Sequence, residues 1–180
     1  EKFCIVLGDP YQLPYHETFD FYGFMAGINF EPWTLIANTY NHAWNTVDGS
    51  GLAVKPYEGD LGMLMFAFLD EDSNDQVMTG PRVSLAETTA PELSFYMYHG
   101  FEAEPEDLEL KVYVNYEDNG WTQVGTIPYN NGTEGWGRSA IQLEAGKRDV
   151  QFAFAANAAD ASAAIYIDAV KIDESVAHEV

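Results

Sequence analysis

Asp168 interrupts the apolar run "AAIYIDAVKI" (163–172), whose composition is otherwise typical of a buried β-strand. An ionised carboxylate removed from water costs several kcal/mol unless it is paired or accepts hydrogen bonds. Either this face of the strand is exposed or Asp168 has a partner. The sequence therefore marks Asp168 as the first residue that could have a chemical role.

A second candidate site consists of ring side chains in an irregular early region, namely Trp33, Tyr40, His42 and Trp44. Asparagines at positions 38, 41 and 45 lie among them. Exposed aromatic rings flanked by polar side chains are typical of carbohydrate sites. The alternative is that the two tryptophans fill the end of a hydrophobic core, as large aromatic residues commonly do.

Signals for catalysis are weak. The histidines at positions 16, 42, 99 and 178 are scattered without a His-Glu-x-x-His arrangement, and no Gly-x-Ser-x-Gly elbow or phosphate-binding glycine loop occurs. The acidic run "FEAEPEDLEL" (101–110) centres on Pro105 and resembles a loop more than a strand with paired catalytic carboxylates. We therefore predict a protein that is not an enzyme.

Composition narrows the class further. The 180 residues suit one domain with a real core, and 47% of them are hydrophobic. The 29 acidic and 8 basic residues give a net charge of −21, which disfavours nucleic acid but is compatible with divalent cations. A single cysteine, Cys4, excludes an internal disulfide and a thiolate zinc site. No apolar stretch approaches the roughly 20 residues of a membrane span.

The elements that must position these residues are predicted to be strands. "LELKVYVNY" (108–116) alternates apolar and polar residues, and "WTQVGTI" follows after Asn119-Gly120, a pair suited to a hairpin turn. Similar segments recur at 61–69, 76–85, 92–99, 137–143, 148–156 and 164–172. Trp121 and Trp136 fall at strand starts, where we expect core or edge packing. Many short strands without a helical period predict an all-β antiparallel sandwich or barrel.

Domain boundaries are predicted at both ends of the chain. Residues 1–13 read as a tail or linker from a preceding module, since an apolar strand there leads into a segment bracketed by Pro10 and Pro14. The sandwich itself is expected over 14–174, and residues 175–180 form a C-terminal linker.

Seven segments together resemble the MAM-like and cleaved-adhesin jelly-roll domains of Bacteroidetes-type surface or secreted proteins. They are "LPYHETFDF", "MTGPRVSL", "PELSFYMYH", "LKVYVNYEDNGWTQVG", "GWGRSAIQLEAG", "DVQFAFAA" and "IYIDAVKI". The resemblance runs from about residue 13 to 172 and implies an antiparallel jelly-roll β-sandwich, usually in tandem with other modules.

The same resemblance implies a calcium ion near the edge of the sandwich. Family members use the acidic residue of the "ETF" segment and the Asp of the closing strand, which are Glu17 and Asp168 in this sequence. The Asp-Gly-rich stretch of many cleaved-adhesin domains is missing, and only "VDGSG" (47–51) is similar to it, which adds Asp48 as a candidate. The alternative is that Asp168 accepts backbone N–H groups at a bulge while Glu17 is solvated.

We therefore expect a non-catalytic extracellular or cell-surface module for adhesion or ligand binding, stabilised by calcium, within a larger protein. Its partners would be a protein or glycan ligand and the neighbouring domains of the same chain. The alternative function is a carbohydrate-binding module attached to a glycoside hydrolase. A solvent-facing Trp33 or Trp44 would favour that alternative, and two buried rings would count against it.

Overall fold

A computed structural model of the chain describes residues 8–20, 32–36, 43–67, 76–99, 108–156 and 164–175. Within these ranges the chain forms strands and one short 3-10 turn, Gly49–Gly51. No helix in the described ranges is long and apolar enough to span a membrane. The strands are β1 Tyr15–Glu17, β2 Thr34–Ile36, β3 Ala43–Asp48, β4 Gly62–Ala67, β5 Gln76–Val83, β6 Pro91–His99, β7 Glu109–Tyr116, β8 Trp121–Pro128, β9 Gly135–Gln142, β10 Val150–Ala156 and β11 Ala164–Glu174.

The strands form two antiparallel sheets. One has the order β3-β4-β11-β6-β9, with β1 as an additional partner of β11, and the other has the order β2-β5-β10-β7-β8. Strands that are neighbours in a sheet are mostly distant in sequence, as expected of a jelly roll rather than a simple meander. The predicted all-β sandwich is confirmed.

The core lies between the two sheets and is rich in aromatic rings. Strand β6 alternates strictly, with Leu93, Phe95 and Met97 buried on its inner face. Phe95 meets Phe154 of the opposite sheet at a centroid distance of 4.9 Å. Burying each such side chain contributes about 1.5 to 3 kcal/mol, so interdigitation of the two inner faces is the main stabilising feature.

The predicted hairpin from 108 to 127 is present as β7 and β8, but its turn differs in detail. Positive φ angles occur at Glu117 (53°), Asp118 (58°) and Gly120 (104°), whereas Asn119 is not in that region. The Asn119 amide donates to the carbonyl of Tyr116 at 3.0 Å. The tight turn is therefore centred on Glu117-Asp118, and the Asn119-Gly120 pair lies on its exit side.

The N-terminal segment packs on the sandwich in its described part. The Tyr11 amide donates to Arg82 O and the Ser84 amide donates to Tyr11 O, both at 2.8 Å. The Arg82 side chain also donates to Gly8 O at 3.0 Å. Residues 8–13 therefore lie against the end of β5, while residues 1–7 of the predicted tail lie outside the described residues.

Candidate functional site

Strand β11 changes neighbours along one of its edges, and Asp168 lies where the change occurs. Residues 164–167 pair with β4, and β1 takes over on that edge at Val170. On the other edge, the pairing with β6 has a register shift between Asp168 and Lys171. Ala169 has a φ of 50°, which marks the bulge. We call this point, where β4 ends its pairing and β1 begins, the junction.

The carboxylate of Asp168 is fully buried and holds the loop that precedes β4. Its Oδ2 accepts hydrogen bonds from the amides of Tyr57 at 2.8 Å and Glu58 at 3.0 Å. Its Oδ1 accepts one from the amide of Ala169 at 2.7 Å. Three amides in place of water explain how a carboxylate persists within an apolar strand.

Burial nevertheless dominates the titration of Asp168. Desolvation raises its pKa to about 6, and the negative charge of Asp20 acts in the same direction. The hydrogen bonds from Glu58, Ala169 and Tyr57 favour the ionised form and oppose this shift only in part. The ionised carboxylate is therefore incompletely compensated by the groups that surround it.

A second carboxylate, that of Asp20, holds the other end of the same loop. Its Oδ1 accepts hydrogen bonds from the amides of Leu61 at 2.9 Å and Gly62 at 2.8 Å. Desolvation raises the pKa of Asp20, but hydrogen bonds from Gly62, Leu61 and Asp60 outweigh it and leave the pKa below its usual value. Asp20 and Asp168 thus fix the backbone of 57–62 from two sides.

Side chains of the sheet complete the attachment of this loop. Trp136 of β9 donates its indole N–H to Lys55 O at 3.0 Å, and Lys55 Nζ donates to Gly49 O at 3.1 Å. His16 of β1 contacts Glu58 Oε2 through Nε2 at 2.8 Å. The loop is therefore laid over the outer face of the six-stranded sheet.

Aromatic rings cover this outer face beside the loop. Tyr57 stacks on Tyr96 of β6 with a centroid distance of 3.5 Å and an interplanar angle of 14°. Trp136 contacts Tyr57 at 6.1 Å and Tyr98 at 5.6 Å, and Tyr98 contacts Tyr166 at 6.5 Å. A hydrogen bond with Tyr96 and then desolvation raise the pKa of Tyr57. The rings form one connected aromatic surface rather than isolated exposed residues.

An open cavity of about 490 Å³ lies beside these rings, within the range of roughly 300 to 1,000 Å³ typical of small-ligand sites. We call it the Tyr57 groove. It is lined by Tyr57, Glu58, Ser94, Tyr96, Arg138, Ala169 and Lys171. Because Asp168 fixes the amides of Tyr57 and Glu58, the buried carboxylate shapes one wall of this groove.

Of the three predicted calcium ligands, Asp168 lies at the junction and Glu17 lies beside it on β1, whereas Asp48 lies on β3, one strand further from β11. Glu17 pairs with Val170, two residues beyond Asp168, and its Oε1 accepts the amide of Phe19 at 2.8 Å. Asp48 pairs with Gly62 at the start of β4. Across the described ranges, no three His, Cys, Asp or Glu side chains group closely enough to hold a metal. A calcium ion here would need carbonyl oxygens and water for its remaining ligands.

The expectation that Trp33 and Trp44 form an exposed aromatic platform is corrected by the structure. Trp33 is 0% exposed and packs among Phe19, Phe152 and Phe154 with centroid distances of 5.2, 5.5 and 6.2 Å. Trp44 is 1% exposed and donates its indole N–H to Gln76 O at 3.1 Å. Both rings lie in the core because burial removes their large apolar area from water, and this counts against a carbohydrate site at these two residues. Tyr40 and His42 lie outside the described residues.

Sequence reasoning missed the Tyr57 groove, although part of its signal was present. In "PELSFYMYH" three residues with hydroxyl groups, Ser94, Tyr96 and Tyr98, alternate with the apolar residues of the core. This alternation predicts two neighbouring tyrosines on the outer face of the strand. Trp136 was expected at the core or an edge, and it lies half-buried on that face, on the edge strand β9. The contribution of Tyr57 depends on where its loop lies, which no local pattern indicates.

Comparisons with known proteins identify this fold. No family model matches the chain, and no curated protein has a detectably similar sequence. Among solved structures, the K1 cleaved adhesin domain of Lys-gingipain from Porphyromonas gingivalis W83 is similar, with a TM-score of 0.63 and 18% identity over 91% of this chain and 99% of that one. The CBM22-1 xylan-binding domain of Paenibacillus barcinonensis Xyn10C has a TM-score of 0.51 and 17% identity, over 90% and 95% of the two chains.

A third similar structure is TmCBM61 in complex with β-1,4-galactotriose, with a TM-score of 0.52 and 12% identity over 82% of this chain and 91% of that one. Identities this low establish a shared fold and leave ligands open. The cleaved-adhesin resemblance in the sequence is confirmed at the level of architecture. The chain therefore has the jelly-roll fold found in cleaved adhesin domains.

Proposed function

We propose that this chain is a non-catalytic binding module of a larger surface or secreted protein, and that the Tyr57 groove takes a glycan ligand. The observation that carries this proposal is the stacked pair Tyr57 and Tyr96 in a groove that also presents Ser94, Arg138 and Lys171. Aromatic rings with a few polar groups beside them suit sugars, whose C–H faces pack on rings and whose hydroxyls hydrogen-bond.

The position of the groove supports display to an external ligand. The Tyr57 side chain is 44% exposed, unlike the core tryptophans, and the loop that carries it is fixed at Asp168, Asp20 and Trp136. A site held in one conformation binds without first losing the freedom of a mobile loop. Similar folds occur in domains described as adhesin, xylan-binding and galactotriose-bound, which is consistent with this role.

Adhesion and assistance to an attached glycoside hydrolase are two uses of the same binding surface. Both are served by a rigid module with an exposed groove, and the modules attached to it would decide between them. The extracellular or cell-surface location belongs to the proposal in either case.

Calcium remains part of the proposal as a structural cofactor at Glu17 and Asp168. The supporting observation is the buried Asp168 carboxylate, whose pKa is raised to about 6 with the charge of Asp20 acting on it. A divalent cation bound by these oxygens would offset the uncompensated negative charge and brace the junction. Carbonyl oxygens and water would supply the remaining ligands of the ion.

The proposal is tested by glycan-array binding followed by titration calorimetry, with xylohexaose and β-1,4-galactotriose among the first probes. Tyr57→Ala is expected to weaken binding about ten-fold or more, because it removes a central aromatic contact. Tyr11→Ala is a matched control, since Tyr11 is 47% exposed but does not line the groove. Equal losses in both variants, or no glycan binding by the unaltered module, would overturn the proposal.

A further inference from the structure

The Tyr57 groove has a charge that contrasts with the rest of the chain. The protein has 29 acidic and only 8 basic residues, yet Arg138 and Lys171 both line this one cavity. A ligand approaching elsewhere meets a predominantly negative surface. The groove is therefore a place where a negative group on a ligand could be accepted.

Lys171 presents an ammonium group at the groove. It lies on β11, opposite Ser94 of β6 on one side and His16 of β1 on the other, and it is exposed. No carboxylate within the described residues pairs with Lys171; the ion pairs there involve His16, Arg82, Arg138 and Lys147. Its three N–H donors thus remain available to a ligand.

Arg138 supplies a second cation from the other side of β6. It lies opposite Tyr96 in the pairing of β6 with β9, and its Nη2 donates to Glu92 Oε1 at 2.5 Å. A guanidinium has five N–H donors, so this ion pair orients Arg138 and leaves other donors for a ligand. Arg138 and Lys171 are two strand spacings apart, roughly 10 Å, and are offset by two residues along the strands, so roughly 12 Å separates their backbones, a gap that two long side chains can span toward a shared anion.

The remaining groups of the groove suit a sugar that carries this anion. Tyr57 and Tyr96 offer ring surface, and the Ser94 hydroxyl can donate or accept a hydrogen bond. Glu58, the one carboxylate among the described residues that line the groove, contacts His16 Nε2 at 2.8 Å. A neutral sugar would use the rings and the hydroxyl but would leave Lys171 and the remaining donors of Arg138 without a charged acceptor.

Resting on the glycan-binding function proposed above, we propose that the groove selects a carboxylate-bearing sugar, a hexuronic acid. Its ring packs against Tyr57 and Tyr96, and its carboxylate is held between Lys171 and Arg138. Charge-assisted hydrogen bonds of this kind are about twice as strong as neutral ones. The net charge of −21 opposes long polyanions, so an isolated uronic acid in an otherwise neutral glycan is the preferred ligand.

The test compares each uronate with its own methyl ester, which keeps the ring and removes the charge. Otherwise neutral trisaccharides that carry one galacturonate, glucuronate or mannuronate residue, and the methyl esters of these acids, are titrated into the module by calorimetry. At least one acid is expected to bind about ten-fold more tightly than its ester. The preference should shrink in 0.5 M NaCl because salt screens exposed charges.

Charge variants assign the preference to the groove. Lys171→Met and Arg138→Gln should each lower the ratio of acid to ester affinity about three-fold, which together accounts for the ten-fold preference, whereas Arg148→Gln, an exposed arginine outside the groove, should leave the ratio unchanged. Thermal unfolding of every variant verifies the fold. An equal loss in Arg148→Gln would overturn the inference, because the effect would then be one of net charge.

The outcomes separate this inference from the function on which it rests. Esters and neutral oligosaccharides that bind as tightly as the acids, with binding still weakened about ten-fold or more by Tyr57→Ala, would overturn the uronate selection and leave the glycan-binding function standing. Absence of binding by acids, esters and neutral glycans would overturn both.

Discussion

The carboxylate of Asp168 accepts a hydrogen bond at 2.8 Å from the backbone amide of Tyr57, a residue 111 positions earlier in the chain. This contact joins the closing strand, β11, to the loop that carries Tyr57, and the ring of Tyr57 stacks on Tyr96 in the Tyr57 groove. A buried polar group at the junction thereby determines where an exposed aromatic ring stands. Stability and the proposed ligand binding therefore depend on the same carboxylate.

Removing the carboxylate should destabilise the protein and release the loop. Asp168→Ala leaves the amides of Tyr57, Glu58 and Ala169 without their acceptor, and we expect a loss of about 2 kcal/mol or more in the free energy of unfolding. Urea denaturation measures this loss. Hydrogen exchange at the Tyr57 and Glu58 amides should accelerate more than exchange in β6.

Glu174→Ala is the matched control for that experiment. Glu174 also accepts two backbone amides, from Thr89 at 2.7 Å and Ala90 at 2.8 Å, but it does so at an exposed surface where water can replace it. A smaller loss of stability is therefore expected. If the two variants lost equal stability, burial would not be what makes the Asp168 contacts important.

Stability should depend on pH through Asp168. Its pKa is raised to about 6, so between roughly pH 4 and pH 6 the native state retains a proton that the unfolded chain has released. Raising the pH through this window should lower the free energy of unfolding by on the order of 2 to 3 kcal/mol relative to Asp168→Asn. Urea denaturation at several pH values, in chelator to exclude metals, measures the difference.

Asp20→Asn provides a control of opposite sign. The pKa of Asp20 is lowered, so its ionised form contributes stability above the unfolded pKa, and this contribution is lost as the pH falls through the folded value. The stability difference between the unaltered protein and Asp20→Asn should therefore increase with pH, at values below about 4. Slopes of the same sign for the two carboxylates would contradict the assigned environments.

A methyl group added at Gly62 should disturb the junction. A Cβ built there would lie 2.1 Å from the carbonyl oxygen of Phe19, a backbone atom that cannot turn away. We expect Gly62→Ala to cost about 1 to 3 kcal/mol, measured by urea denaturation. Gly51→Ala, where a Cβ meets nothing within 4 Å, should be close to neutral, and a large loss there would point to a backbone effect instead.

The individual strands were the part of this structure that could be predicted from the sequence. Alternation in "LELKVYVNY" and "PELSFYMYH" placed β7 and β6 correctly, because a half-buried strand imposes a period of two on its own residues. The tryptophans were harder, since Trp33 is equally suited to a core and to a platform until its neighbours are known.

The site was harder still because it depends on contacts between distant segments. "AAIYIDAVKI" indicated a carboxylate in need of a partner, but the partners are main-chain amides of a loop with no composition that marks them as donors. They reach Asp168 because β1 and β4 share one edge of β11 and leave a gap there. A pairing of this kind is set by the whole topology and by no local pattern.

Calcium should stabilise the protein if Glu17 and Asp168 bind it as proposed. A ligand that binds only the native state raises the free energy of unfolding, by about 2.7 kcal/mol at a free concentration of 100 times Kd. The unfolding midpoint in calcium should therefore be higher than the midpoint in chelator. Glu17→Gln and Asp168→Asn should each reduce that rise, whereas Glu174→Gln, an exposed carboxylate away from the junction, should retain it. Sodium chloride at matched ionic strength controls for screening of the net charge of −21. Identical midpoints in calcium and in chelator would eliminate the cofactor and leave the backbone amides as the partners of Asp168.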